Sequence, residues 1–368
     1  MSDPRYTPLR ERHEALGASF TDFGGWQMPV RYTSDLAEHH AVREAAGIFD
    51  ISHMAEFTIV GAGAAEYLDY ALAGRLSALA IGKAKYSLLL AETGGIIDDV
   101  IVYRLGEDDF LIISNAGNRD AVRAALRERV AGHEVVVEDV SDAYALIAVQ
   151  GPAAEAILAA TEGIDDVSVP WAEQKYYAWA SATFNGAAIL LARTGYTGED
   201  GFELLVAGPD ATALWDAVLA AGAPHGLVPA GLAARDTLRL EAGMPLYGHE
   251  LTLDTKPAQA GLGRVVVTAK ERFVGKDGVD AAAGAPVLVG LTAEGKRAGR
   301  AGYAVVAEDG SPLGEITSGA LSPTLGHPIA MAFVAPSSAE EGTAVFLDVR
   351  GTRIPATVTA LPFYRRTK

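Results

Sequence analysis

The chain has 368 residues, 49% of them hydrophobic and 21% charged, and this length and composition predict a globular protein of two or three domains. Its net charge of -17 argues against nucleic acids and anionic membranes as partners, because both are bound by basic surfaces. The absence of cysteine excludes disulfides, thiolate nucleophiles, and zinc or iron–sulfur sites that use cysteine.

The sequence carries no targeting segment of a familiar kind. Its first residues, MSDPRYTPLRERHEAL, lack the apolar core of a secretory signal. No run approaches the roughly 20 apolar residues of a transmembrane helix. These features predict a cytoplasmic protein.

Two short helices are predicted near the N-terminus. Thr7, which is followed by proline, resembles an N-cap, and Gly17 would end this first helix. Ser34 is predicted to cap the second helix, which would end at Gly47. The aromatic segment between them, residues 20–32, is punctuated by glycine and proline and is predicted to be a loop.

Strand and helix patterns then alternate in two successive stretches, residues 57–138 and 144–219. This order predicts two mixed α+β units with antiparallel strand pairing. The repeated order indicates an internal duplication, although the residues themselves do not visibly repeat. One more helix is predicted over residues 230–243.

The C-terminal part of the chain has a different pattern. From residue 287 onward, short β-rich runs are separated by turns such as Asp309-Gly310-Ser311. Regular short strands of this kind predict a small antiparallel barrel or a sandwich. The boundary before this unit is predicted near residues 276–286.

Several cofactor and catalytic motifs are incomplete or missing. Gly61-Ala62-Gly63 resembles the start of a dinucleotide-binding fingerprint, but Glu66 occupies the position of the third glycine. The sequence has no Walker A loop, no G-x-S-x-G elbow and no H-E-x-x-H, and its eight histidines lack metal-ligand spacing. Ser52 and His53 are adjacent, and neighbouring side chains diverge in an extended segment, which argues against a hydrolase pair.

Residues 83–103, KAKYSLLLAETGGIIDDVIVY, predict a β-hairpin, because two apolar runs flank a turn with two glycines. Just past the turn, Asp98 and Asp99 interrupt the second strand. Side chains alternate along a strand, so the two carboxylates are predicted to point to opposite faces. A carboxylate within such a strand costs several kcal/mol unless it is paired or hydrogen-bonded. The alternative is that both lie at a solvated end of the hairpin.

Two further segments have an unusual density of polar residues. In RTGYTGEDGFEL, residues 193–204, Glu203 can accept two parallel N–H donors, and a plain hairpin is the alternative. In GLAARDTLRLEAGMPLYGHE, residues 231–250, Arg235 and Arg239 are four residues apart on one helical face. Like charges at that spacing repel by a few tenths of a kcal/mol. They predict an anionic or acceptor-rich ligand, and the alternative is an exposed arginine ridge.

These segments, together with residues 20–32 and GIFDISHM at 47–54, resemble the aminomethyltransferase family of the glycine cleavage system, known as T-proteins. The resemblance runs from Thr7 to Arg366 and keeps the order of the family's motifs. Further matching segments are ALIAVQGP at 145–152, RFVGK at 272–276, EITSGALSPTLG at 315–326 and PFYRR at 362–366.

The resemblance implies an α+β fold in which three domains form a cloverleaf around a central channel for tetrahydrofolate. Residues 1–54 and 140–275 would form a discontinuous first domain, residues 55–139 a second, related domain with an antiparallel sheet, and residues 276–368 a C-terminal antiparallel β-barrel. The implied reaction transfers the one-carbon unit of an aminomethyl group, carried on the lipoyl arm of H-protein, to tetrahydrofolate. Its products would be 5,10-methylenetetrahydrofolate, ammonia and dihydrolipoyl H-protein.

The family's functional residues can be carried over to matching positions. Its functional aspartate falls on Asp99, whose ionised carboxylate would orient or deprotonate the folate amine and stabilise the cation that forms as ammonia leaves. Glu203 matches the pterin-binding glutamate, and Tyr196 and Arg235 match other folate contacts. The implied channel-lining positions, followed by one loosely aligned C-terminal position, are Tyr86, Met54, Ile113, Asn115, Tyr103 and Tyr364.

Two other classes of the same superfamily are alternatives. A non-catalytic folate-binding protein would carry a cysteine-containing motif, which this sequence lacks. A folate-dependent demethylase would need a flavin domain, and no dinucleotide-binding half is evident. We therefore expect tetrahydrofolate as a co-substrate and lipoylated H-protein as a partner, with no metal, flavin or nicotinamide.

Overall fold

A computed structural model of the chain describes residues 4–367. The predicted first domain begins at residue 1 and the predicted barrel domain ends at residue 368, and both of these bounds lie outside the described residues. No helix between residues 4 and 367 is long and apolar enough to cross a membrane.

The N-terminal segment contains a β-hairpin that was not predicted. Its elements are α1 (Arg10–Ala15), β1 (Ser19–Phe23), β2 (Trp26–Arg31), α2 (Asp35–Glu44) and β3 (Ala46–Asp50). The predicted loop over residues 20–32 is wrong, because β1 and β2 form a hairpin that pairs Phe23 with Trp26. Gly24 and Gly25 both have positive φ, 61° and 85°, as a two-residue hairpin turn requires.

The helix ends in this segment also differ. Ser34 caps α2 as predicted, but the helix ends at Glu44, and Gly47 lies within β3. A Cβ at Gly47 would press against the side chains of Val42 and Phe49, so this glycine permits close packing. The Thr7 hydroxyl accepts from the Leu9 N–H at 3.3 Å, as an N-cap does, and donates to Asp50 Oδ2 at 2.5 Å, while the regular helix begins only at Arg10.

The first of the two predicted α+β stretches forms a five-stranded antiparallel sheet with the order β5-β6-β7-β4-β8. Helices α3 and α4 cover one face of this sheet around a core that includes Phe57, Tyr67 and Phe110. The predicted mixed α+β unit with antiparallel strand pairing is confirmed. The elements are β4 (Ala55–Val60), α3 (Ala64–Ala71), β5 (Ala84–Leu90), β6 (Ile96–Arg104), β7 (Asp109–Ser114), α4 (Arg119–Glu128) and β8 (Val136–Asp139).

The second of the two predicted α+β stretches forms most of a seven-stranded sheet with the order β10-β11-β12-β13-β9-β3-β14. In this sheet only the β3–β14 pair is parallel. Because β3 comes from the N-terminal segment, this unit is built from two separate parts of the chain. The elements are β9 (Tyr144–Gln150), α5 (Ala154–Ala159), β10 (Ile164–Asp165), β11 (Trp179–Phe184), β12 (Ala187–Ala192), β13 (Gly201–Ala207), α6 (Ala211–Gly222), β14 (Leu227–Pro229) and α7 (Leu232–Glu241).

The two sheets share a hydrophobic core that lies between them. Phe49 and Leu205 of the larger sheet pack in it with Tyr103 and Ile113 of the smaller sheet, and Leu238 of α7 joins them. Side chains alternate along β6, so the face that carries Tyr103 also carries Ile101 and Asp99. Asp99 therefore lies on the face of the smaller sheet that is directed toward the larger one.

The C-terminal unit is a closed six-stranded barrel with the order β15-β18-β17-β16-β19-β20, which confirms the barrel and not the sandwich. Leu291, Ile316 and Leu347 are among the residues that fill its interior. The strands are β15 (Val287–Ala293), β16 (Ala304–Val306), β17 (Pro312–Leu321), β18 (Pro328–Val334), β19 (Ala344–Val349) and β20 (Thr352–Thr359).

The segment between α7 and the barrel packs on the smaller sheet. Leu251 and Phe273 contact the same hydrophobic cluster as Leu88. The ammonium group of Lys270 donates to the backbone oxygens of Asp69, Leu72 and Gly74 at 2.6, 2.5 and 2.7 Å. The predicted grouping of residues 140–275 with the first domain stays a prediction, and this part of it contacts the second unit.

Candidate active site between the two sheets

The acidic pair of β6 does not lie at an open end of the hairpin. Asp98 is fully buried and Asp99 is partly buried, so the alternative of a solvated hairpin end is wrong. Asp98 lies on the face with Val100 and Val102, which is covered by α3 and α4. Asp99 lies on the opposite face, as the alternation of a strand predicts.

Both carboxylates are held by hydrogen bonds from uncharged donors. The Tyr86 hydroxyl donates to Asp99 Oδ2 at 3.1 Å. The side-chain amide of Asn115 donates to Oδ1 of both Asp98 and Asp99, at 2.8 Å each. Asp98 also accepts from the backbone N–H of Asn115 at 3.0 Å and from Asn118 Nδ2 at 2.6 Å. These bonds offset part of the cost of burying the two carboxylates.

Burial raises the pKa of both aspartates. Burial and the nearby negative charge of Asp99 raise the pKa of Asp98 to about 7, against the donors Asn115 and Asn118. Burial also raises the pKa of Asp99, and the hydrogen bonds from Tyr86 and Asn115 oppose that increase. A carboxyl group with a raised pKa is a better proton acceptor once it is ionised.

Glu203 of β13 is linked to the smaller sheet by two hydroxyl groups. The Thr194 hydroxyl donates to Glu203 Oε2 at 2.5 Å, and the Tyr103 hydroxyl lies 3.1 Å from Thr194 Oγ1. This chain joins the two sheets, since Tyr103 belongs to β6. Burial raises the pKa of Glu203, while the Thr194 bond and the positive charge of Arg235 lower it.

Arg235 of α7 brings a positive charge to the same region. Its guanidinium lies 4.9 Å from the ring centroid of Tyr196, whose hydroxyl donates to the Pro245 carbonyl at 2.6 Å. Within residues 4–367, the Arg235 side chain has no hydrogen bond or ion pair. Burial lowers the pKa of Arg235, and the negative charge of Glu203 raises it.

The alternative of an exposed ridge of Arg235 and Arg239 is wrong, because Arg239 is buried. Arg239 is only 2% exposed and forms ion pairs with Asp236 at 2.7 Å and Glu250 at 3.1 Å. Its charge is paired inside the protein, so Arg239 does not need a ligand to satisfy it. The two arginines of one helix therefore have different surroundings.

The two acidic groups act on a common tyrosine. Burial raises the pKa of Tyr177, and the negative charges of Glu203 and Asp99 raise it further. Burial also raises the pKa of Tyr196; the positive charges of Arg239 and Arg235 lower it, and the negative charge of Asp99 raises it. Asp99 shares a face of β6 with Tyr103, to which Glu203 is linked through Thr194, so the two carboxylates lie on the same side of the smaller sheet.

The remaining predicted residues divide into two groups. Ile113 is buried in the core between the sheets, and the partly buried Met54 packs against that core. Tyr364 lies elsewhere: its ring is 4.0 Å from the guanidinium carbon of Arg43, and its backbone N–H donates to the Glu241 carbonyl at 2.8 Å. None of these Tyr364 contacts is with another predicted site residue.

Several residues of this region were not predicted from the sequence. Asp98 adjoins Asp99, and Thr194 lies two residues before Tyr196, but Tyr177 lies well before residues 193–204, and no sequence pattern indicated it. His53, which was set aside, is fully buried, and burial together with the charge of Arg235 lowers its pKa to about 4. Its ring is therefore neutral at pH 7.

The described part of the chain contains no group of three or more His, Asp or Glu side chains placed to hold a metal ion. The chemistry that the site itself offers is that of buried carboxylates, tyrosine hydroxyls and one arginine. Such a set can bind a ligand with N–H donors, stabilise positive charge and accept a proton.

Comparison with known proteins matches nearly the whole chain. Residues 9–270 match the family described as the GCVT N-terminal domain, and residues 287–365 match the glycine cleavage T-protein C-terminal barrel domain. Aminomethyltransferases of Saccharopolyspora erythraea and Cutibacterium acnes are each 56% identical to this chain, with 100% of both chains covered. The crystal structure of glycine cleavage system aminomethyltransferase T from Bartonella henselae superposes with a TM-score of 0.90 at 37% identity, covering 99% of each chain.

Proposed function

The chain belongs to the glycine cleavage T-protein family and is an aminomethyltransferase, and we propose that Asp99 is its catalytic carboxylate. The reaction moves the one-carbon unit of an aminomethyl group from the lipoyl arm of H-protein to tetrahydrofolate. Ammonia and the reduced lipoyl arm are the other products. The single observation that carries this proposal is the position of Asp99, partly buried and hydrogen-bonded on the sheet face directed toward Glu203 and Arg235.

Asp99 has two tasks in this proposal, and both need its ionised form. Positive charge develops on the transferred group as ammonia leaves, and a negative carboxylate stabilises that charge strongly where water is scarce. The folate amine that accepts the carbon must also lose a proton, which Asp99 accepts. The hydrogen bonds from Tyr86 and Asn115 hold the carboxylate in one orientation, so it does not have to reorganise during the reaction.

Glu203 is proposed to bind the pterin ring of the folate. A carboxylate accepts two parallel N–H donors, the pattern that an aminopyrimidine edge presents. Thr194 donates to Oε2 and thereby orients the carboxylate toward the ligand. Arg235 and Tyr196 are proposed as further folate contacts, and Tyr86, Met54, Ile113, Asn115 and Tyr103 as residues that line the site. Tyr364 stays a prediction, because its contacts are with Arg43 and Glu241.

Ammonia release tests the proposed reaction. Purified protein is mixed with aminomethylated H-protein, and ammonia is measured with and without tetrahydrofolate. Rapid release that needs both components supports the transfer reaction. Release at the same rate without tetrahydrofolate, or no release with both present, contradicts it.

A further inference from the structure

One amide group connects the two aspartates of β6. Asn115 Nδ2 carries two hydrogens and lies 2.8 Å from Oδ1 of Asp98 and 2.8 Å from Oδ1 of Asp99. Since a carboxylate oxygen is an acceptor, the end of the side chain between them must be the NH2 group. Both of its hydrogens are therefore committed, one to each aspartate.

Asp98 is fixed more firmly than Asp99. It is fully buried beneath α4, and three hydrogen bonds from two asparagines reach its two oxygens. Two of these donors, the backbone N–H and the side chain of Asn115, belong to the residue that holds Asp99. The third, Asn118, lies at the start of α4, so the position of Asp98 is tied to the helix.

We propose that Asp98 is a positioning residue for the reaction: through the Asn115 amide it fixes the orientation of the Asp99 carboxylate, beside which it places a second carboxyl group. This inference rests on the proposed role of Asp99. Asp98 lies on the opposite face of β6 and does not face the substrate. Asp98 affects Asp99 in two ways: through the shared Asn115 amide and, when it is ionised, through its negative charge.

The tyrosines around the acidic pair do not titrate together with it. The groups that share electrostatic interactions with Asp98 or Asp99 are Tyr86 of β5, Tyr177 before β11, Tyr196 before β13, and Tyr247 after α7. Burial raises the pKa of each of these tyrosines, so all four stay neutral over the range in which the aspartates titrate.

The test is the pH profile of Asp98→Asn. Loss of a neighbouring negative charge makes Asp99 easier to ionise, so the acidic limb of kcat is expected to move to lower pH. Loss of the anchor is expected to reduce kcat about 10- to 100-fold, with the KM for tetrahydrofolate within about twofold of wild type. An unchanged acidic limb together with an unchanged kcat would overturn the proposal.

A matched control separates positioning from stability. Asp69 is also a carboxylate of this unit that accepts hydrogen bonds from the chain around it, from Leu76 and Ser77. Asp69→Asn is expected to lower the melting temperature without moving the acidic limb. If Asp69→Asn and Asp98→Asn change kcat and the limb alike, Asp98 has only a structural role.

Two more variants keep the inference falsifiable. If Asp98→Asn does not fold, Asn118→Ala loosens Asp98 without removing a charge, and a fall in kcat of at least about threefold at unchanged KM is expected. An unchanged kcat in that variant contradicts the inference. Asp99→Asn in the same assay tests the proposed function separately. If Asp99→Asn is active, the proposed role of Asp99 is wrong. If Asp99→Asn is inactive but Asp98→Asn has wild-type activity and pH profile, only this inference is wrong.

Discussion

At the scale of single residues, the two carboxylates assigned to the site are held in different ways. Asp99 accepts from a tyrosine and an amide, while Glu203 accepts from a threonine that a tyrosine of the other sheet contacts in turn. Periodicity alone could place Asp98 and Asp99 on opposite faces but could not choose between them. The resemblance to the family indicates Asp99 as the functional residue. The burial of Asp98 was not predictable, because its donors Asn115 and Asn118 lie 17 and 20 residues further along the chain.

Glu203→Ala tests the proposed pterin contact. A hydrogen bond to a charged group contributes about 1.5–3 kcal/mol, so tetrahydrofolate is expected to bind about 10- to 100-fold more weakly. Calorimetric titration without H-protein measures this directly. The control is Glu138→Ala, which removes an exposed strand glutamate of β8 and is expected to leave the affinity unchanged. Equal affinities in the two variants would contradict the pterin contact.

At the scale of elements, the hairpin that carries the acidic pair depends on its turn. Ala91 N–H donates to the Gly95 carbonyl at 2.8 Å, and Gly94 has a φ of +81°, as predicted for a glycine turn. A Cβ at Gly94 would also collide with the backbone of Gly278. The sequence predicted most strands and helices correctly because their periodicity is strong. It missed the β1–β2 hairpin, where the Gly24-Gly25 signal was present but was interpreted as part of a loop.

Gly94→Ala and Gly82→Ala form a matched pair at this scale. Both glycines have left-handed backbones, with φ of +81° and +83°, but a Cβ at Gly82 would meet nothing within 4 Å. Gly82→Ala is expected to cost about 1–2 kcal/mol of unfolding free energy from backbone strain alone. Gly94→Ala is expected to cost clearly more, because the turn must also move away from Gly278. Urea denaturation compares them, and equal midpoints would contradict the packing argument.

At the scale of the whole molecule, a buried polar network joins the barrel to the rest of the chain. Glu241 of α7 accepts from Arg43 of α2 at 2.8 Å and from Ser322 and Thr324, in the loop after β17, at 2.5 and 3.0 Å. His39 lies 3.2 Å from the same carboxylate. No periodic pattern indicates such a network, because its members are up to 285 residues apart in the chain. The closed barrel was predictable from its short, regular strands, but its attachment was not.

This network predicts a stability loss in acid. Burial alone would raise the pKa of Glu241, but bonds from His39, Ser322 and Arg43 lower it to about 2 in the folded protein, below its value of 4.5 in an unfolded chain. The stabilisation, of order 3 kcal/mol, is therefore complete above pH 4.5 and is lost as the pH falls toward 2. Glu241→Gln is expected to lower the melting temperature at pH 7 and to weaken its pH dependence below 4.5. Parallel pH profiles for the variant and wild type would contradict this.

The most direct test of the central claim is single-turnover ammonia release by Asp99→Asn, measured beside its affinity for tetrahydrofolate. The substitution keeps the size of the side chain and removes its charge. We expect folate affinity within about twofold of wild type and a rate of ammonia release at least about 100-fold lower, because the charge acts on the transition state and not on folate binding. Ammonia release at the wild-type rate would show that the reaction does not need the Asp99 carboxylate.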